Sequence, residues 1–174
     1  MTSNKATLEA AVMRLASIHP VNIWEVSETT GEGTPWYVVD GSVVHQLVIR
    51  EVELIEQVQL IAAQIMHWGR LSAQAKRVWE VEERNYRIWR DGTVLKLVEV
   101  AAGEAEKKKA LPQWQAEAMM RADPIYRAHQ MRLERAEEAY NVAQSVLEGF
   151  QAKKDMMKSS VIRSKEDGAP RLSI

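Results

Sequence analysis

From Tyr126 onward the chain repeats an apolar, aromatic or otherwise seam-compatible side chain at alternating steps of three and four: Tyr126, His129, Leu133, Ala136, Tyr140, Ala143, Leu147, Phe150, Lys154 and Met157. A helix turns about 100° per residue, so this spacing gathers the ten onto one narrow stripe, which a strand cannot do. Just ahead of it, Asp123-Pro124 supplies a start signal, with Asp123 as N-cap and Pro124 at the first helical position. A long final helix follows, and its stripe has to be covered. The cover is either an earlier helix of the same chain or the same helix in a second copy. The presence of Ala136, Ala143 and two tyrosines in place of uniform Leu and Ile favours packing inside a bundle.

The partner helix is visible between Val44 and Asp91, where Gly69 is the one residue that interrupts. Val48, Val52, Ile55, Val58, Ala62 and Ile65 recur there at three- and four-residue steps and predict one long helix, bent at Gly69 and ending at Asp91-Gly92. Ahead of it, Leu8, Ala11, Val12 and Leu15 share a face of a first helix over Lys5 to Ser17, which His19-Pro20 stops. Runs of Trp, Tyr and Val on either side of "TTGEGTP" predict a β-hairpin between Asn22 and Val44. After Gly92, Val94 to Val100 fits either a strand or a helical turn, and "EAEKKKALPQ" is a polar connector. A short helix bearing Trp114, Ala118 and Met119 comes next, and the tail after Ser159 has no period and is expected to be mobile. The expected fold is mainly α: a long-helix bundle with a small N-terminal β-hairpin, oligomerising through helical seams. Its expected parts are residues 1–45 (helix and hairpin), 46–158 (helical oligomerisation and single-strand-binding domain) and 159–174 (tail).

Several functional classes are missing. With no Cys there is no disulfide, thiolate metal site or cysteine nucleophile. His19, His45, His67 and His129 show no metal-ligand spacing, and His129 reads as a neutral, hydrogen-bonded core histidine. Nucleotide-binding, zinc-protease and serine-hydrolase motifs do not occur, so neither enzymatic activity nor a metal or other cofactor is expected. No basic flank with an apolar signal core and no membrane-length apolar run is present, which places the expected location in the cytoplasm, a bacterial host's if the chain is of phage origin.

The charge is uneven although the net value is only -1. Residues 1–69 hold three basic and eight acidic side chains, whereas residues 70–174 hold twenty and sixteen. The basic half contains "RNYRIWRDG", where Arg84, Arg87 and Arg90 alternate with Tyr86 and Trp89. On a helix Arg70, Arg77 and Arg84 fall within about 40° of one another at steps of roughly 10.5 Å, and Arg87 extends the row. Such a row can meet successive phosphates of a polyanion through bidentate hydrogen bonds and counterion release. Trp68, Trp79 and Tyr86 read as core. Trp89 reads as an exposed ring at the helix end, able to stack a base beside Arg87, Arg90 and Lys96. Lys107 to Lys109 read as a solvated linker with a secondary role in charge contacts, and Glu80–Arg84 and Glu83–Arg87 as i,i+4 pairs on a solvated face.

"WGRLSAQAKRVWEVEERNYRIWRD", then a variable polar connector, then "QAEAMMRADPIYRAHQMRLERAEEAYNVAQSVLEGFQAKKDMM" resembles the UvsY-type recombination mediators of T-even and related phages, over Val44 to Met157. The likeness lies in helix order, the basic-aromatic segment before the connector and the "AD" restart; the hairpin is a departure from it. It implies a non-enzymatic helical protein that assembles into a ring, binds single-stranded DNA and helps a RecA-like recombinase displace single-strand-binding protein. The family's DNA-binding stretch matches Asn85 to Lys96, which implies roles for Arg87, Trp89, Arg90 and Lys96; Arg70, Arg77 and Arg84 rest on helical geometry. Assembly is expected at the final seam, centred on Leu133, Tyr140, Leu147 and Phe150. The competing class is a structural or adaptor helical assembly protein with no nucleic-acid role, its arginine row paired with the acidic N-terminal region of a neighbour.

Overall fold

The computed structural model describes residues 2–26, 33–50, 54–103 and 111–166, and the side chains of 4–23, 38–50, 54–99 and 111–160. Its elements are α1 (Thr2–Ala16), β1 (Val21–Val26), β2 (Gly33–Val39), α2 (Val43–Leu47), α3 (Leu54–Gly103), α4 (Gln113–Ala122) and α5 (Pro124–Glu166). The protein is mainly α, with long helices that pack together and one small antiparallel hairpin near the N-terminus. Two compact units divide it: Met1–Ala75 with Ala139–Ile174, and Lys76–Glu138.

In the first unit, α1 buries Leu8, Ala11 and Leu15, with Val12 partly covered, as its spacing predicts. The hairpin alternates as a half-buried sheet must: Val21, Ile23 and Val39 turn inward while Asn22 and Val38 face out. Strand pairing runs from Val21↔Val39 to Val26↔Gly33 and slips between Ile23 and Trp24, opposite Pro35. Proline has no N–H to give the ladder, so an irregularity is where it is tolerated. The predicted turn at "TTGEG" lies outside the described residues. After β2, the Asp40 carboxylate accepts from the Ser42 N–H at 2.9 Å, closing a tight turn into α2, and hydrogen bonds from the Ser42 hydroxyl first and its N–H second hold the Asp40 pKa below the ordinary carboxylate value.

The long helix differs from its expected bounds at both ends. The chain does not enter it at Val44: α2 ends at Leu47, and Val48 is extended. Val43 and Leu47 are buried in the core and Ile49 packs partly against it, while Val48 faces out. Val52 lies outside the described residues. At the other end α3 passes through Asp91 and Gly92 and continues to Gly103, which settles Val94 to Val100 as helix. A mid-helix glycine costs about 1 kcal/mol against alanine. The half-buried Val94, Leu97 and Val98 that follow outweigh it by packing.

Burial on α5 is wider than the predicted stripe. Ala136, Ala143, Phe150 and Met157 are buried as expected, but Leu133, Tyr140 and Leu147 are half-buried and Lys154 is exposed. A second row, Ala139, Val142, Ser145, Val146, Gly149 and Lys153, is buried beside the first. The cause is a second set of neighbours. One side of α5 meets α3, where Phe150 stacks on Trp68 with ring centres 6.4 Å apart and Ser72 donates to Gln144 at 2.9 Å. Another meets α1 and α2: Arg14 donates to the Ser145 hydroxyl at 2.8 Å, and Gly149 lies against Leu47 and Ala11. Lys153 is 2% exposed and donates to the Gln46 and Val48 carbonyls at 2.7 and 3.2 Å, capping the end of α2.

α5 begins at Pro124 with the Asp123 carboxylate accepting from the Ile125 N–H at 2.8 Å, as predicted. It remains helical through Glu166, into the stretch expected to be an aperiodic tail; residues 167–174 lie outside the described residues. On α4 the buried residues are Ala116 and Met120, whereas Trp114 and Met119 are 67% and 54% exposed.

Candidate nucleic-acid interface

The second unit holds most of the predicted contact residues. Because α3 extends well past Gly92, the basic-aromatic stretch is mid-helix instead of at a helix end. Arg77, Arg84, Arg87, Arg90 and Lys96 all project into solvent from it. Arg70 is also exposed but belongs to the first unit.

The cations are not all unopposed. Arg87 is bonded to Glu83, the predicted i,i+4 pair, and Arg90 Nε donates to Asp91 at 2.8 Å, which raises the guanidinium's already high pKa. Glu80 pairs with Lys76 at 3.8 Å, one turn away from the arginine expected for it. These side chains are 37–63% exposed in each of these pairs. Exposed pairs contribute between nothing and about 1 kcal/mol and are screened by salt, so a phosphate can displace the carboxylate at little cost.

Trp89 departs from expectation. It is half-buried, because its ring lies on the imidazole of His129 with centres 4.7 Å apart and planes at 28°. Tyr86 stacks on it at 6.4 Å, and Tyr126 is tilted against both rings at 6.4 Å. The expected free stacking platform is therefore an aromatic cluster formed by α3 and the first turns of α5. His129 is hydrogen-bonded and its neutral form is favoured, as expected, but it is not a core residue. It is half-buried, its Nδ1 lies 3.4 Å from the Arg132 guanidinium, and burial, with that positive charge second, lowers its pKa while Glu82 opposes the shift.

Beside the cluster is a groove of about 900 Å³. Val94, Leu95, Val98 and Leu111 supply its apolar wall, Tyr86 and Tyr126 its rings, and Arg90, Asp91, Glu117 and Arg121 its charges. Arg121 and Glu117 form an i,i+4 pair at 3.9 Å. The arrangement can hold a flat ring against apolar and aromatic walls with a guanidinium available to an anionic group. Tyr126, Arg121 and Arg132 were missed in sequence because α4 and α5 contribute them from far along the chain; the cue available was the Arg and Tyr content of "RADPIYRAHQMR". Lys107 to Lys109 lie outside the described residues. Among the described residues, no group of three His, Asp or Glu gathers where a metal ion would be held, and no helix is long and apolar enough to cross a membrane.

Of the expected assembly residues, Phe150 is fully buried in the chain's own core against Trp68, which withdraws it from the centre of a contact between copies. Leu133, Tyr140 and Leu147 are half-buried. Comparisons with protein-family models, with curated proteins and with solved structures gave no match.

Proposed function

We propose that this protein is a non-enzymatic, single-stranded-DNA-binding recombination mediator that helps a RecA-like recombinase load onto DNA coated by single-strand-binding protein. The observation that carries the reading is the concentration of exposed Arg84, Arg87, Arg90 and Lys96 on one stretch of α3 beside a groove with Tyr86 and Tyr126 in its wall. Cations in series bind a sugar-phosphate chain through counterion release, and rings beside them take unpaired bases without regard to sequence. The half-buried state of Trp89 gives it a supporting part: it holds Tyr86 and Tyr126 in place. Arg77 extends the electropositive stretch. A neutral overall balance makes each site weak, and assembly of several copies on one strand compensates through effective concentration.

Fluorescence anisotropy with a labelled single-stranded oligonucleotide at two salt concentrations tests this. Binding should weaken as salt rises, and Arg87→Ala with Arg90→Ala should each reduce the log–log salt slope by about 0.7, the value for one phosphate on a single strand. Strand exchange by a RecA-like recombinase on coated DNA should then be accelerated by the wild type and less so by the double variant. No binding at low salt refutes the proposal and leaves the structural or adaptor reading.

A further inference from the structure

The first turns of α3 carry an apolar stripe that nothing among the described residues covers. Ile55, Val58 and Met66 are 55%, 43% and 76% exposed, and Ala62 between them is exposed too. At about 100° per residue the four lie within an arc of about 80°, and Gly69 falls inside the same arc. The helix's buried line, through Ile61, Trp68 and Ala75, is about a third of a turn away. Ile55, Val58 and Ala62 belong to the run whose three- and four-residue steps predicted the long helix, and on that helix they face outward.

We infer that this stripe is an interface between two copies of the chain, paired antiparallel about a two-fold axis at Ala62. Three observations select that occupant. The stripe is self-complementary in size: with Ala62 opposite Ala62, Ile55 meets Gly69 and Val58 meets Met66, a large side chain against a small or flexible one each time. A Cβ added at Gly69 would find nothing within 4 Å among the described residues beyond its own helical turn, so the space for the opposing Ile55 is open. The charges are also complementary. Glu56 and Arg70, both exposed, flank the same side of the stripe at opposite ends, so antiparallel pairing brings Glu56 of each copy beside Arg70 of the other. A parallel pair would leave each Glu56 about 21 Å along the axis from the other copy's Arg70. The stripe covers about 21 Å of helix, short for a protein interface, so the dimer is weak and forms in the micromolar range. This surface stands apart from the DNA-binding reading and is measured without nucleic acid.

The chain has no Cys, which gives cross-linking a clean background. In the full-length protein under mild oxidation, Ala62→Cys should link to itself. Ile55→Cys should not, its counterpart being about 21 Å away against the 7 Å a disulfide tolerates, but it should link when mixed with Gly69→Cys. Sedimentation velocity of the wild type should show the mass rise from that of one chain toward twice that value as concentration climbs through the micromolar range. Val58→Glu should abolish the rise, with the circular-dichroism spectrum unchanged because the site is exposed. Self-linking of Ile55→Cys, failure of Ala62→Cys to link, a wild-type mass that never rises, or wild-type dimerisation by Val58→Glu each overturns the inference.

Discussion

Gly149 and Gly92 are both glycines inside long helices, yet the same substitution should act on them in opposite directions. Alanine in place of a mid-helix glycine stabilises by roughly 0.5–1 kcal/mol, because it removes backbone freedom from the unfolded chain. At Gly92 a new Cβ meets nothing within 4 Å among the described residues, so Gly92→Ala should show that gain in full. At Gly149 the new Cβ would stand 3.1 Å from both methyl carbons of Leu47 and 3.3 Å from the Ala11 Cβ. Carbon atoms prefer about 3.5–4.0 Å, so both neighbours must retreat. Leu47 is fully buried and Ala11 is fixed to the α1 backbone, so neither can swing aside. Overpacking of this kind costs typically 1–3 kcal/mol, which exceeds the propensity gain and leaves Gly149→Ala destabilised by about 1 kcal/mol. Urea unfolding followed by circular dichroism measures both variants, and unchanged m values keep the comparison on stability alone. If Gly149→Ala gains as much as Gly92→Ala, then α1 and α2 are not seated on α5 as described. If Gly92→Ala loses stability, α3 ends in a left-handed glycine at the turn that "DG" suggests.

Lys153→Met keeps the aliphatic stem but removes the ammonium, leaving the Gln46 and Val48 carbonyls without this donor in a buried place; a loss of about 2 kcal/mol in urea unfolding is expected, and a neutral result would show that water replaces the ammonium. His129 has a lowered pKa in the folded state, so its contribution to stability is complete above the ordinary imidazole value of about 6.5 and is lost as pH falls from there through the folded value. His129→Phe, with the ring retained against Trp89, should flatten that part of the stability–pH curve; an imidazole NMR titration at or above the ordinary value would refute the argument.

Where the sequence reading succeeded and where it failed follows from which energies have a local signature. Apolar spacing is such a signature, so α1, the hairpin and the start of α5 at Asp123-Pro124 were readable. The second buried row of α5 was not, because Ser145, Gly149 and Lys153 resemble surface residues until α1 and α2 lie against them. Gly149 is inside because it is small, Ser145 because Arg14 reaches it, and Lys153 because two carbonyls at the end of a five-residue helix accept its protons. The same logic explains the site. A row of arginines is a property of one helix, and their exposure on α3 follows from its period. The state of Trp89 depends on His129, forty residues later in the chain, and no period on α3 encodes that meeting. "DG" misled for a related reason: a turn signal is worth about 1 kcal/mol, and apolar side chains beyond it that find a packed surface exceed that within one helical turn. The exposed stripe at Ile55, Val58 and Ala62 is the converse case. Its period predicts a helix, and remains silent on whether what covers that face belongs to the same chain or to another.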